Sequence, residues 1–231
     1  MKILGIDTGT DMLGVAIWDK NVIYEASASA PRRHAELLPE FANHALTTIG
    51  SRSDEISHIA VAIGPGSYTG LRVGVAFAQG FAMATDAKII TVDSLLAQAA
   101  RYRMSAVPIA VIVDARAGAI YGAIFDVRDK PLPIVESSLW SLENFAAELS
   151  SRGRVALVGA DAPKFCAQLN RMVHGTDLFV PSDCMCISAG KVAEIAAAKA
   201  IAGEITPLDT LEPKYLREFT PGKRKRTPVI S

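Results

Sequence analysis

The 231 residues suffice for one large domain or two small lobes, and an apolar half with 21% charged residues is an ordinary globular composition. Lys+Arg and Asp+Glu both number 24, so the formal net charge is zero and no global field draws a polyanion; nucleic acid would have to be held by a partner or a local patch. The longest apolar stretch, Val73 to Ala84, is too short to span a bilayer, no room precedes the first strand for a signal peptide, and Cys184 and Cys186 are too close for a typical disulfide, which together predict a cytoplasmic protein with reduced thiols.

The chain opens with three predicted strands, Ile3–Asp7, Leu13–Trp18 and Val22–Ser27, joined by the tight turns Thr8-Gly9-Thr10 and Asp19-Lys20-Asn21. Leu37, Leu38, Phe41, Ala45, Leu46 and Ile49 then recur at helical spacing and predict a helix over 33–49. A short buried strand at Ile59–Ile63 leads through the loop Gly64–Gly70 into a second helix, Leu71–Ala84. A strand at Lys88–Val92 follows, and Ser94 is the predicted N-cap of a helix reaching Tyr102.

The pattern then restarts. At an offset of 107 residues Asp7 falls on Asp114, Ala16 on Ala123, Ile17 on Ile124, Trp18 on Phe125 and Asp19 on Asp126, which points to an internal duplication. Strands at Ile109–Asp114 and Ala119–Phe125 are followed by a helix near Leu142–Leu149, a strand Val155–Val158, the turn Gly159-Ala160-Asp161 and an alanine-rich helix, Ala189–Ile201. Strands alternating with helices in two similar halves predict an α/β protein of two related lobes, 1–105 and 106–219. Residues 220–231 carry the basic run Lys223-Arg224-Lys225-Arg226, read as a solvated, disordered tail or as a nucleic-acid contact.

The hairpin Asp7-Thr8-Gly9-Thr10 can turn N–H and hydroxyl groups toward a phosphate, with a carboxylate at the strand end to hold Mg²⁺ through water. The same residues also make a plain turn. In the second copy the loop reads Asp114-Ala115-Arg116-Ala117-Gly118, so Arg116 stands where Gly9 does and the hydroxyls are gone. Arg116 could meet a phosphate as a charge or serve in a salt bridge. A nucleotide clamp built from these two hairpins is eroded on one side.

The Gly64–Gly70 loop allows a strained turn, with Ser67 or Thr69 placed to cap the helix behind it. Along that helix Gly70, Gly74, Ala78 and Ala82 fall four apart and form a stripe without bulk. Such a stripe lets another element approach closely, either a partner's helix or one of the same chain.

Gly64-Pro65-Gly66-Ser67-Tyr68-Thr69-Gly70-Leu71-Arg72-Val73-Gly74 resembles the signature of the TsaB (YeaZ) family. Ile6-Asp7-Thr8, His34-Ala35-Glu36-Leu37-Leu38-Pro39, Asp114-Ala115-Arg116 and Pro213-Lys214-Tyr215-Leu216-Arg217 match that family in order, so the resemblance spans nearly the whole chain. It implies a two-lobed actin-like ATPase fold (ASKHA, ribonuclease H-like) with duplicated lobes. It also implies pairing with the catalytic relative TsaD through the first two helices of each, with TsaE as a third subunit. The complex would modify the adenosine 3′ of the anticodon in transfer RNAs that read codons starting with A, and this subunit would meet tRNA only indirectly, through the complex.

On that resemblance the partner face, or a homodimer face when the chain is alone, comprises Leu37, Phe41 and Leu46 with Gly70, Leu71, Gly74, Val75, Ala78 and Ala82. The paired metal-binding histidines of TsaD would fall on Ser94 and Gln98, so neither a catalytic residue nor a metal ligand is assigned. No cofactor is required; weak, vestigial ATP or ADP contact would use Asp7, Thr8, Gly9, Thr10 and Arg116. A sugar or acid kinase would need the intact second phosphate loop, and a metallopeptidase would need the histidine pair.

Overall fold

A computed structural model describes residues 1–184, 187 and 189–216; the basic tail and Cys186 lie outside the described residues. The first lobe runs β1 (Ile3–Asp7), β2 (Met12–Asp19), β3 (Asn21–Ser29), α1 (His34–Thr48), β4 (His58–Ala62), α2 (Tyr68–Thr85), β5 (Lys88–Val92) and α3 (Ser94–Ala99). The second runs β6 (Ile109–Arg116), β7 (Ala119–Asp126), β8 (Leu132–Ser141), α4 (Leu142–Leu149), β9 (Gly153–Val158), α5 (Ala162–Asn170) and β10 (Thr176–Phe179), and α6 (Ala189–Ile201) follows.

The first sheet has the order β3-β2-β1-β4-β5, and the second, read from its β8 edge, β8-β7-β6-β9-β10. In each, a three-stranded antiparallel meander is extended by two parallel strands whose crossovers are helical. Identical strand order in two sheets is what an internal duplication produces, and the predicted two-lobed α/β architecture is the observed one.

Each sheet buries one face under its own helices. Alternate residues of β1 and β2 (Leu4, Ile6, Leu13, Val15, Ile17) meet α1 and α2 through Leu38, Ala42, Ala45, Val75 and Ala78. In the second lobe Ile112, Ile120 and Ile124 meet Phe145 of α4 and Phe165 of α5. The opposite faces are covered by exchange. Leu95 and Ala99 of α3 pack on Val111 and Val113, while α6 returns to cover Ile3, Ala60 and Ile90. Gly5 makes that return close, since a Cβ there would lie 2.5 Å from the Ala189 carbonyl oxygen. The boundary at 105/106 falls between the two sheets, and α6 follows the second. Packing sets it against the first.

The lobes are joined firmly at their crossing. Arg101 donates to the Ile187 carbonyl at 3.1 Å, the Tyr102 hydroxyl donates to the Asp183 carbonyl at 3.1 Å, and Arg103 Nε donates to the Asp129 carbonyl at 2.8 Å. Residues 205–216 then form a strap over the first lobe. Thr206 bridges the edge strand β5 at Ile89, Leu211 enters the α1–α2 core, and the Lys214 N–H donates to the Ile63 carbonyl at 2.8 Å.

Candidate functional site

The first hairpin meets the second across a cleft of about 410 Å³ lined by Gly9, Thr10, Asp11, Ser67, Asp114, Arg116 and Asp161 among others. Several donors of the first hairpin are engaged within the chain. Asp7 Oδ1 accepts the Gly9 N–H at 2.9 Å, Thr10 Oγ1 accepts the Met12 N–H at 3.1 Å, and the Thr8 hydroxyl turns away to donate to the Gly70 carbonyl at 2.8 Å. Across the cleft Asp114 Oδ1 accepts the Arg116 N–H at 2.7 Å, and Asp161 Oδ2 accepts the Asp114 N–H at 2.8 Å. Lys164 pairs with Asp114 Oδ2 at 2.5 Å. Three carboxylates, Asp11, Asp114 and Asp161, therefore line the cleft against the Arg116 guanidinium.

The second hairpin keeps the aspartate turn of the first but not its register. Gly5 pairs with Ala16, whereas Ala123, the counterpart of Ala16, pairs with Val111, one position short of the expected Ile112. A bulge between Asp114 and Arg116 absorbs the slip. A one-residue slip sends a side chain to the other face of the sheet. Asp7 is consequently buried, while Asp114 turns to α5 and its lysine. Arg116, Ala117 and Gly118 all take positive φ (67°, 51° and 78°), a conformation that suits only the last of them.

Asp7 is the most perturbed group at the site. Its Oδ2 is buried without a partner. Burial pushes its pKa up to about 6, against the opposing pull of the Gly9 N–H and of His34. His34 itself starts α1, as expected, with Nε2 3.2 Å from the Met12 carbonyl oxygen.

Ser94 and Gln98 are both buried on α3. The Ser94 hydroxyl does not cap its own helix; Asp93 Oδ1 does, accepting from Leu95 at 2.9 Å and Leu96 at 3.1 Å. Ser94 Oγ instead accepts the Gly64 N–H at 2.9 Å and anchors the glycine loop. Among the described residues no group of three or more His, Cys, Asp or Glu side chains is placed to hold a metal ion. No helix among them is long and apolar enough to cross a membrane, and Cys166 and Cys184 are free thiols.

Helix α2 starts at the Ser67 cap, as predicted, with Ser67 Oγ accepting the Gly70 N–H at 3.3 Å. It presents three adjacent rows, each four residues apart. Gly70, Gly74, Ala78 and Ala82 are buried, together with Leu71 and Val75. A Cβ on Gly70 would lie 2.1 Å from the Thr8 carbonyl oxygen, and one on Gly74 2.5 Å from Thr8 Oγ1. The small-residue stripe thus packs on the first hairpin and sheet of its own chain. Of the two readings of the stripe, packing within the chain is the observed one, because β1 and its turn need that close approach. Leu46 of α1 is buried too, whereas Leu37 and Phe41 are half-buried.

The next row, Val73, Phe77 and Phe81, is half-buried, with the two phenylalanine rings stacked at 6.1 Å. The outermost row, Arg72, Ala76, Gly80 and Ala84, is exposed, and Met83 beside it is 73% exposed. Gly80 has nothing within 4 Å of where a Cβ would stand, so the packing of this chain does not require a glycine there.

A family model of TsaD, tRNA N6-adenosine threonylcarbamoyltransferase, matches residues 26–145. The tRNA threonylcarbamoyladenosine biosynthesis protein TsaB of Escherichia coli is 34% identical over 151 residues, which cover 64% of this chain and 62% of that protein. TsaB of Bacillus subtilis is 31% identical over 182 residues, covering 78% of this chain and 80% of its own length. The solved structure of YeaZ from Pseudomonas aeruginosa superposes with a TM-score of 0.80 at 22% identity, over 93% of this chain and 99% of that one. That likeness shows the fold, which is the two-lobed actin-like one. With these matches and the signature loop seated between hairpin and helix, the chain belongs to the TsaB (YeaZ) family.

Proposed function

We propose that this chain is a non-catalytic subunit of the machinery that forms threonylcarbamoyladenosine in tRNA, and that it binds and activates a TsaD-type transferase through the exposed faces of α1 and α2. Family membership supports the pathway. The observation that supports the face is Gly80. A glycine inside a helix costs roughly 1 kcal/mol against alanine, and the open space above this one leaves close approach by a second molecule as the reason for it. The half-buried row Val73, Phe77 and Phe81, with Leu37 and Phe41 of α1, supplies apolar surface beside it. The same face would serve a homodimer of the isolated chain.

The cleft fits a triphosphate poorly. Phosphate binding needs free N–H donors and positive potential. Here the N–H groups of Gly9, Asp114 and Arg116 have acceptors within the chain, and three carboxylates line the walls. The chain itself therefore requires no cofactor, and ATP or ADP binds weakly. Metal-dependent transfer belongs to the TsaD-type partner, with a TsaE-type protein as third subunit and tRNA met through the complex. A tRNA substrate supports a cytoplasmic setting for this work.

Reconstitution tests the reading. The purified chain with tRNA, ATP and threonylcarbamoyl-adenylate should yield no modified adenosine, the transferase and its TsaE-type partner without this chain little, and the full set robust turnover. Transfer by this chain alone, abolished by Asp7→Ala, would overturn it.

A further inference from the structure

Arg72 carries the only charge on α2 and heads its exposed row. Its guanidinium carbon lies 4.0 Å from the centroid of the Tyr68 ring and 5.8 Å from that of Tyr215, and its Nε donates to the Tyr215 hydroxyl at 2.8 Å. The two rings lie 5.0 Å apart, tilted by 32°. Cation–π contact and this hydrogen bond fix a side chain that is otherwise free to rotate.

Tyr215 is the end of the strap, and the strap is well held. Leu211 is buried in the α1–α2 core, Gln79 Nε2 donates to the Leu211 carbonyl at 3.4 Å, and Lys214 reaches Asp93 Oδ2 at 3.1 Å. The guanidinium is thus positioned by Tyr68 on its own helix and by Tyr215, which lies 143 residues beyond Arg72 in the chain. It pairs with no carboxylate among the described residues; its partners are the two tyrosines. Those two contacts cannot use all five of its N–H groups.

An exposed arginine held by packing, with no acidic partner among the described residues, is preorganised for a carboxylate from another molecule, because little rotamer freedom remains to be lost on binding. Arginine and tyrosine are also the residue types that concentrate binding energy at interfaces. We propose that Arg72, clamped between Tyr68 and Tyr215, is an anchor for an aspartate or glutamate of the partner protein, and that the strap is thereby part of the docking face. The proposal rests on the reading that the exposed row of α2 meets a TsaD-type transferase.

Titration calorimetry with the transferase encoded by the same genome, at two salt concentrations and with thermal melts alongside, tests it. Arg72→Glu should weaken binding about a hundredfold, and Arg72→Gln and Tyr215→Ala roughly ten- to thirtyfold. Arg72→Gln, at an exposed position where folding is undisturbed, should also flatten the salt dependence. Arg72→Lys should recover only part of the loss, since an ammonium neither stacks nor forks. Gly80→Arg separates the two levels of the argument. If it abolishes binding while Arg72→Glu and Tyr215→Ala bind like the unmodified chain, the anchor is wrong and the face stands. If Gly80→Arg binds normally as well, the face is wrong and the anchor falls with it.

Discussion

The Thr8 hydroxyl donates to the carbonyl oxygen of Gly70 at 2.8 Å, and this bond locks the first hairpin to the first turn of α2. Gly70 sits where no side chain could be added. A methyl group on Gly70 would meet the Thr8 backbone, which cannot rotate aside as a side chain could. Gly70→Ala should therefore cost about 1–3 kcal/mol in chemical denaturation. Ala78→Arg, at a fully buried position on the same row, should leave no folded protein by circular dichroism, since an unpaired buried charge costs several kcal/mol.

Asp7 carries a stability cost that depends on pH. The unfolded chain releases this proton near 3.8 and the folded chain near 6, so between those values the native state holds the extra proton. Stability from this group therefore falls as pH rises through that window and is level above it, a loss of about 3 kcal/mol. Asp7→Asn keeps an acceptor for the Gly9 N–H and removes the ionisation. It should be more stable than the unmodified chain by about 2–3 kcal/mol at neutral pH and no more stable below about pH 4, as read by urea melts across that range.

Nucleotide affinity follows from the cleft. Titration with Mg-ATP should give heat only in the millimolar range, about −4 kcal/mol. Asp161→Asn, which keeps an acceptor for the Asp114 N–H and removes one negative wall, should tighten binding by a fewfold at most. Micromolar binding by the unmodified chain would contradict the account of the cleft.

The first lobe was almost fully legible, because its strands alternate cleanly and its loop is punctuated by glycine and proline. The duplication was legible as well, but only to within one residue. The bulge at Asp114 leaves the sequence in phase at the aspartate while shifting the pairing behind it, and no residue type announces such a slip. Strand β8, helix α5 and strand β10 were missed: β8 has no buried residue, and α5 is short with Pro163 in its first turn. On α2 small and apolar residues occupy every row, so spacing could not say which row faces inward. The one charge did say it. Arg72 marks the exposed row, and reading outward from it along four-residue steps reaches Ala76 and Gly80 rather than Gly74 and Ala78. The Asp161–Asp114 bond and the Tyr68–Arg72–Tyr215 stack join residues far apart in the chain, and only the fold brings them together.

The exposed row of α2 is the central claim, and Gly80→Arg measures it most directly. The position has open space and ordinary helical backbone, so the substitution should leave the melting temperature unchanged or raise it, by up to about 1 kcal/mol in stability. Binding to the TsaD-type transferase should nonetheless fall by about a hundredfold or more in the same calorimetric titration, because a long charged side chain would stand in the closest part of the contact. A Gly80→Arg chain that is folded and binds the transferase with unmodified affinity would contradict the account.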